Sequence, residues 1–379
     1  MGAPLLIVGT GMAGYGLLRA LRHVDRRMAV CMVTADDAAA YAKFQLPGAL
    51  ARRRDAGELV LASVEQMAHR YDASILPRTR ALRIDRARHI LRTDTADLAY
   101  GQLVIATGAE PRRPASIRGT GVTSVLTVGS LAEYAYLRSE LAGRRRVVVL
   151  GGGASGCEFA DNLLRGGCDV TLLEPGSRLL GARLPALCSE RVAGALHTAG
   201  VRLRLEDGIQ RIEQGLDELE ITTLSGARLN AEVVIAVLGS APRVQLAADA
   251  GVDVGRGIVV DTRLCTSDPD IFALGECAEM GGRLFTLSDD IDAGARVLAG
   301  VLTGGHTQLR WQVRSLRLQL ECCPTVLCEP PPIAGEWHET ATARGVRALF
   351  HDFNGRLRGF VLVGEAVSDA HHLLSHIGH

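Results

Sequence analysis

Apolar residues in this chain gather into short runs with punctuation between them. Leu5-Leu-Ile-Val8 is unbroken, the pattern of a strand buried on both faces, and it feeds directly into Gly9-Thr-Gly11-Met-Ala13-Gly14. From Tyr15 to Val24 apolar positions recur at helical spacing. The same order of events returns later. Arg146-Val-Val-Val-Leu150 runs into Gly151-Gly-Gly153-Ala-Ser155-Gly156, and a helical pattern continues from Cys157 to Leu164. Each half also closes on a matching strand and glycine, Leu103-Val-Ile-Ala106-Thr107-Gly108 in the first and Val233-Val-Ile-Ala-Val-Leu-Gly239 in the second. No apolar run approaches the ~20 residues a membrane helix needs.

A strand, G-x-G-x-x-G and a helix, written twice, predict two Rossmann-type dinucleotide-binding units in an α/β fold. In each loop the first glycine makes a tight turn, the second lets the backbone approach a pyrophosphate, and the third lets helix pack on strand. The helix N-terminus then offers free N–H groups and the positive end of its dipole. An acid some 20 residues on tells the two units apart. Asp169-Val-Thr-Leu-Leu-Glu174 ends a strand in a carboxylate suited to a ribose 2′-OH and opposed to a 2′-phosphate, which favours NADH over NADPH. In the first unit, the strand from Met28 to Val33 ends in Thr34-Ala-Asp36-Asp37, where the acid comes two or three residues late. A third piece, Cys265-Thr-Ser-Asp-Pro-Asp270-Ile-Phe-Ala-Leu-Gly275-Glu276, supplies a further strand with glycine and acid far downstream. A long dinucleotide such as FAD, whose ribityl chain needs a hydroxyl partner, requires such a piece.

Composition narrows the field. The 379 residues are 47% hydrophobic and 22% charged, and 42 basic residues cancel 42 acidic ones. That balance argues against a nucleic-acid or polyanion binder. The N-terminal apolar run has no basic region before it and reads as a buried strand, so the expectation is a cytoplasmic protein with no membrane partner. Nine cysteines scattered over the chain do not form a secreted disulfide framework. Of the 42 basic residues 41 are arginine, and Lys43 is the single lysine. A compact ammonium does what a planar guanidinium cannot, which marks Lys43 as a candidate functional residue. The histidines near the C-terminus, His371, His372, His376 and His379, read as an exposed terminal helix, and no metal site is expected.

Thr107-Gly-Ala-Glu-Pro111, Gly239-Ser-Ala-Pro242 and Ala273-Leu-Gly275-Glu276-Cys-Ala, with the two glycine loops, resemble the FAD- and NAD(P)H-dependent pyridine nucleotide-disulfide oxidoreductase superfamily. Within it, Gly9-Thr-Gly-Met-Ala-Gly-Tyr15, Thr34-Ala-Asp-Asp37, Tyr41-Ala-Lys43, Gly345-Val-Arg-Ala-Leu-Phe-His351 and Gly355-Arg-Leu-Arg-Gly-Phe360 resemble bacterial rubredoxin reductases. The resemblance implies an NADH-dependent flavoenzyme passing electrons through FAD to a small iron-containing carrier, rubredoxin first and ferredoxin or flavorubredoxin as alternatives. A low-turnover FAD- and NADH-binding sensor is the other class. The resemblance also implies that Lys43 points at the flavin N5 edge and pairs with Glu158, and these two are the catalytic candidates. The implied cofactor-binding set is Gly9, Gly11, Ala13, Gly14, Thr34, Asp36, Lys43, Arg80, Ala81, Ala106, Thr107, Gly108, Gly275 and Glu276 for FAD. For NADH it is Gly151, Gly153, Ser155, Gly156, Glu174 and Gly239. Disulfide reductases carry C-x4-C near the flavin, whereas here Cys31 is the only cysteine before Cys157, so electrons are expected to leave the flavin directly. The late Cys323-Pro-Thr-Val-Leu-Cys328, preceded by Cys322, reads as buried apolar cysteines.

The expected organisation is an FAD-binding domain over 1–112 and 240–308, an NAD(H)-binding domain inserted at 113–239, and a small α+β domain over 309–379. The last is expected to hold strands at 314–320, 325–327, 346–350 and 357–363 and a helix at 368–376. Four features depart from the rubredoxin-reductase pattern. Glu276 replaces a common aspartate, and Phe44 a proline. Leu287-Ser-Asp-Asp290-Ile-Asp292 replaces a largely uncharged segment near the flavin pyrimidine edge. Glu321-Cys-Cys stands where lysine-threonine-proline is expected.

Overall fold

The computed structural model describes residues 3–377. They form two compact units, one of 3–43, 57–110 and 240–312, the other of 44–56, 111–239 and 313–377. Among the described residues no helix is long and apolar enough to cross a membrane.

In the first unit a five-stranded parallel sheet runs in the order Ile271–Ala273, Gln102–Ile105, Leu5–Val8, Val30–Val33, Ser74–Leu76. Leu5–Val8 lies in the middle and all four of its residues are buried, as an unbroken apolar run requires. The helix Met12–Val24 follows at once and buries Leu17, Leu18 and Leu21. It begins inside the glycine motif, earlier than the expected Tyr15, because Gly11 serves as its N-cap. The helix Ser288–Leu302 packs beside it, with Arg19 Nη2 paired to Asp292 Oδ1 at 3.0 Å. Asp289 and Asp290 fall in the first turn of that second helix, where negative charge complements the dipole.

The second unit repeats the plan. Its parallel sheet is ordered Val125–Leu126, Val233–Ala236, Arg146–Leu150, Asp169–Glu174, Arg202–Leu205. The helix Ala154–Arg165 follows the second glycine loop. The fold is thus α/β with two Rossmann-type domains, the second inserted within the chain of the first. A small C-terminal α+β part follows, whose antiparallel sheet runs Leu316–Leu318, Thr325–Cys328, Leu357–Gly364, Gly345–Asp352, Gly335–Thr342. The edge strand Gly335–Thr342 is absent from the sequence reading. Most of its side chains are exposed and polar, and its main apolar anchor is Trp337 edge-on to Phe350, with ring centroids 5.3 Å apart. The terminal helix starts later than expected, at Ala370–His376, after a 3-10 turn at Glu365–Asp369. His379 lies outside the described residues.

Candidate functional site

Steric detail separates the roles of the three glycines in each loop. A Cβ on Gly9 would overlap the carbonyl oxygen of Ala106, and one on Gly14 would overlap that of Gly9. The second loop is built alike, with Gly151 against Val237 and Gly156 against Gly151. These glycines are demanded by the fold itself. The middle glycines differ, because a Cβ on Gly11 or Gly153 would meet nothing within 4 Å. Both are N-caps of their helices and neither helix has a side chain capping its first turn. Uncapped first-turn N–H groups therefore sit beside open space at the middle glycine, the cradle a pyrophosphate needs. Ser155 lies in that first turn of the second helix.

Around the first loop several of the expected residues meet. Gly275, in a left-handed conformation at φ +88°, packs so that its Cβ would lie 2.6 Å from the Cβ of Ala13, bringing the downstream Gly-Glu piece to the glycine loop. Glu276 Oε2 lies 4.0 Å from the Cβ position of Gly108 and accepts from Lys43 Nζ at 2.9 Å. Asp36, late in sequence, is brought back by a turn. Its Oδ1 accepts from Thr34 Oγ1 at 2.8 Å, Ala38 N at 3.0 Å and Thr10 Oγ1 of the loop at 3.4 Å. Thr107 is locked by Arg243, a residue the sequence reading missed. Arg243 Nη1 donates to Thr107 O and Thr107 Oγ1 donates to Arg243 O, each at 3.0 Å. Nothing in the sequence signals this pairing across 136 residues. Arg80 and Ala81 enter an antiparallel strand, Ala81–Asp85, and Arg80 N donates to Asp94 Oδ1 at 2.8 Å.

In the second unit, Glu174 clasps its loop with both oxygens. Oε2 accepts from Gly152 N at 2.6 Å and Oε1 from Gly176 N at 2.7 Å. A fixed negative charge therefore stands at the strand end beside the cradle. Gly239 turns at φ +80° with open space around its Cβ position. Glu158, one turn into the helix, accepts from Gln319 N at 2.8 Å, and burial pushes its carboxyl above the usual range against the pull of that bond. Gln319 Nε2 also donates to Phe44 O at 2.9 Å, and Asp161 Oδ2 accepts from Glu321 N at 2.9 Å. Glu158 and Asp161 thus pin the segment that departs from the lysine-threonine-proline pattern. No sequence signal marks Gln319 for this role.

All nine cysteines are free. Burial raises the thiol pKa at every one of them, to about 12 at Cys157 and about 11 at Cys328. Thiolate is the reactive form, so burial works against dithiol exchange.

The carboxylates, cradles and glycine turns of both units fit two dinucleotides, FAD at the first loop and NADH at the second. Comparison with known proteins agrees. The family model for pyridine nucleotide-disulphide oxidoreductases matches residues 3–293, and that for the rubredoxin binding C-terminal domain matches residues 308–377. The chain is similar to a rubredoxin-NAD(+) reductase of Alcanivorax borkumensis, 34% identical, covering 97% of this chain and 96% of the relative. It is also similar to a nitric oxide reductase FlRd-NAD(+) reductase of Vibrio vulnificus, 32% identical, covering 99% and 98%. Among solved structures, a ferredoxin reductase from Rhodopseudomonas palustris shares the fold at a TM-score of 0.87 and 23% identity, covering 97% and 93% of the two chains.

Proposed function

The chain belongs to the pyridine nucleotide-disulphide oxidoreductase family, and from that premise we propose that it is an NADH-dependent FAD flavoenzyme passing electrons from NADH to rubredoxin. The observation that carries the choice of acceptor is the match of residues 308–377 to the rubredoxin binding domain. FAD, when bound, supplies the conversion between a two-electron donor and a one-electron acceptor. The chain's own residues bind, orient and bias that chemistry. Gly11 and Gly153 expose the backbone N–H groups that hold the two pyrophosphates. Glu174 selects the nicotinamide cofactor without a 2′-phosphate. Lys43 is the catalytic charge, a point cation that favours negative charge on the reduced cofactor. Glu158 is the residue we assign to position that charge. We place the FAD domain at 1–112 and 240–308, the NAD(H) domain at 113–239 and the acceptor-binding domain at 309–379. The protein acts in the cytoplasm, a reading supported by nine unpaired cysteines.

The test is direct. Purified protein should be yellow, release FAD on denaturation, bleach with NADH under anaerobic conditions and turn over with ferricyanide. Release of FMN, or no bleaching by NADH, would overturn the assignment. Bleaching without turnover on any one-electron acceptor would make the protein a sensor.

A further inference from the structure

At the end of the helix Ala154–Arg165 opposite the second glycine loop, about 18 Å along its axis, the second unit opens into a cleft of about 330 Å³. Its walls carry Arg53, Arg138, Arg144 and Arg145 together with Leu50 and Cys168, and no carboxylate is among the described residues that line it. Arg144 is partly neutralised by Glu140, 2.5 Å away. Arg53, Arg138 and Arg145 form no ion pair among the described residues. Helix capping explains part of this cluster. Arg53 Nη2 donates to Gly166 O at 3.3 Å, at the end of one helix, and Arg138 Nη2 to Arg53 O at 3.1 Å, just past the end of the helix Leu46–Ala51. Capping leaves most of the donors unused, since each guanidinium has five N–H groups. The Nε of Arg138 is buried with no acceptor among the described residues. Cys168 reports how closely the charges converge. Burial raises its thiol pKa and Asp169 raises it further, while Arg145, Arg53 and Arg138 all act to lower it.

A cleft lined by four arginines and no carboxylate among the described residues calls for a ligand that is anionic and rich in acceptor oxygens. Its volume is at the small end of ligand sites, too small for a whole dinucleotide. We propose that this cleft binds a small phosphoryl-bearing anion carrying at least two negative charges, at a site separate from both dinucleotide loops. Free phosphate, pyrophosphate and a nucleoside monophosphate share this chemistry.

Cys168 gives the readout. The FAD-loaded protein is held with saturating NAD+, so that the second loop is filled, and alkylation of Cys168 by iodoacetamide is followed by peptide mass spectrometry. Inorganic phosphate, pyrophosphate and AMP are tested separately against sodium chloride of equal ionic strength. At least one should slow alkylation saturably, by about tenfold at ten times its Kd, and the one that does identifies the source. In R138Q/R145Q the ratio of rates with and without the probe should fall to one. R145Q alone, which alters one exposed side chain, should weaken protection partially, and bound FAD absorbance checks that both variants are folded. Protection by none of the three, protection equal to that of sodium chloride, or full protection in the folded variants would overturn the proposal.

Discussion

Lys43 and Glu276 form an ion pair at 2.9 Å with about a third of each side chain exposed, so the pair adds little to stability, ~1 kcal/mol or less. Its value is chemical. Lys43→Ala should leave FAD bound, because backbone N–H groups hold the phosphates, yet slow single-turnover reduction by NADH about tenfold to a hundredfold, equivalent to ~1–3 kcal/mol. Lys43→Arg should restore only part of the rate, since its charge is spread over a plane. A parental rate in Lys43→Arg would remove the special standing of the lone lysine. Glu158 yields a pH signature. Its folded-state pKa is raised by burial, so ionisation costs folding free energy that sets in as pH climbs through the unfolded value of about 4.3 and is complete above the folded one. Glu158→Gln keeps an acceptor for Gln319 N and removes that cost. The variant-minus-parent difference in Tm should therefore move in the positive direction from about pH 4 to pH 7, and a difference independent of pH would contradict it. Glu174 was legible from its place at a strand end. Asp36 was only half legible, because the turn that carries it back to Thr10 is a three-dimensional event.

Elements were legible where periodicity and punctuation agreed. Leu5–Val8 and Arg146–Leu150 were plain because a buried parallel strand leaves no polar residue in its run, apart from the exposed leading arginine. The starts of the two helices after the glycine loops were misplaced because glycine N-caps carry no side-chain signal. The strand Gly335–Thr342 went unseen because an exposed edge strand has little apolar alternation to show. The glycine loops also offer a clean contrast. Gly14→Ala forces a methyl onto the Gly9 carbonyl and should destabilise the protein by ~1–3 kcal/mol, seen as a lower denaturation midpoint. Gly11→Ala places its methyl in open space and should leave the melting of the flavin-free protein almost unchanged while weakening FAD binding. Equal destabilisation by both would show that Gly11 serves the fold and not the ligand.

Across the whole molecule, duplication was the most readable feature, since the second parallel sheet repeats the first with the same loop and helix. The grouping of residues 44–56 with the second unit was not readable, because it depends on the packing of Leu46–Ala51 against Ala154–Arg165 and on bonds such as that from Gln319 to Phe44. Cofactor choice belongs to this scale as well. kcat/KM should favour NADH over NADPH by about tenfold or more, ~1.4 kcal/mol or above, and Glu174→Gln should narrow that ratio. The central claim is that electrons from NADH leave through this protein to rubredoxin. It is tested most directly by reducing the FAD-loaded protein with NADH anaerobically and mixing it in a stopped-flow instrument with purified rubredoxin and ferredoxin in parallel. Reoxidation should be fast with rubredoxin and saturate with its concentration, and it should be much slower with ferredoxin. Equal rates with both carriers, or no reoxidation by rubredoxin, would contradict the claim.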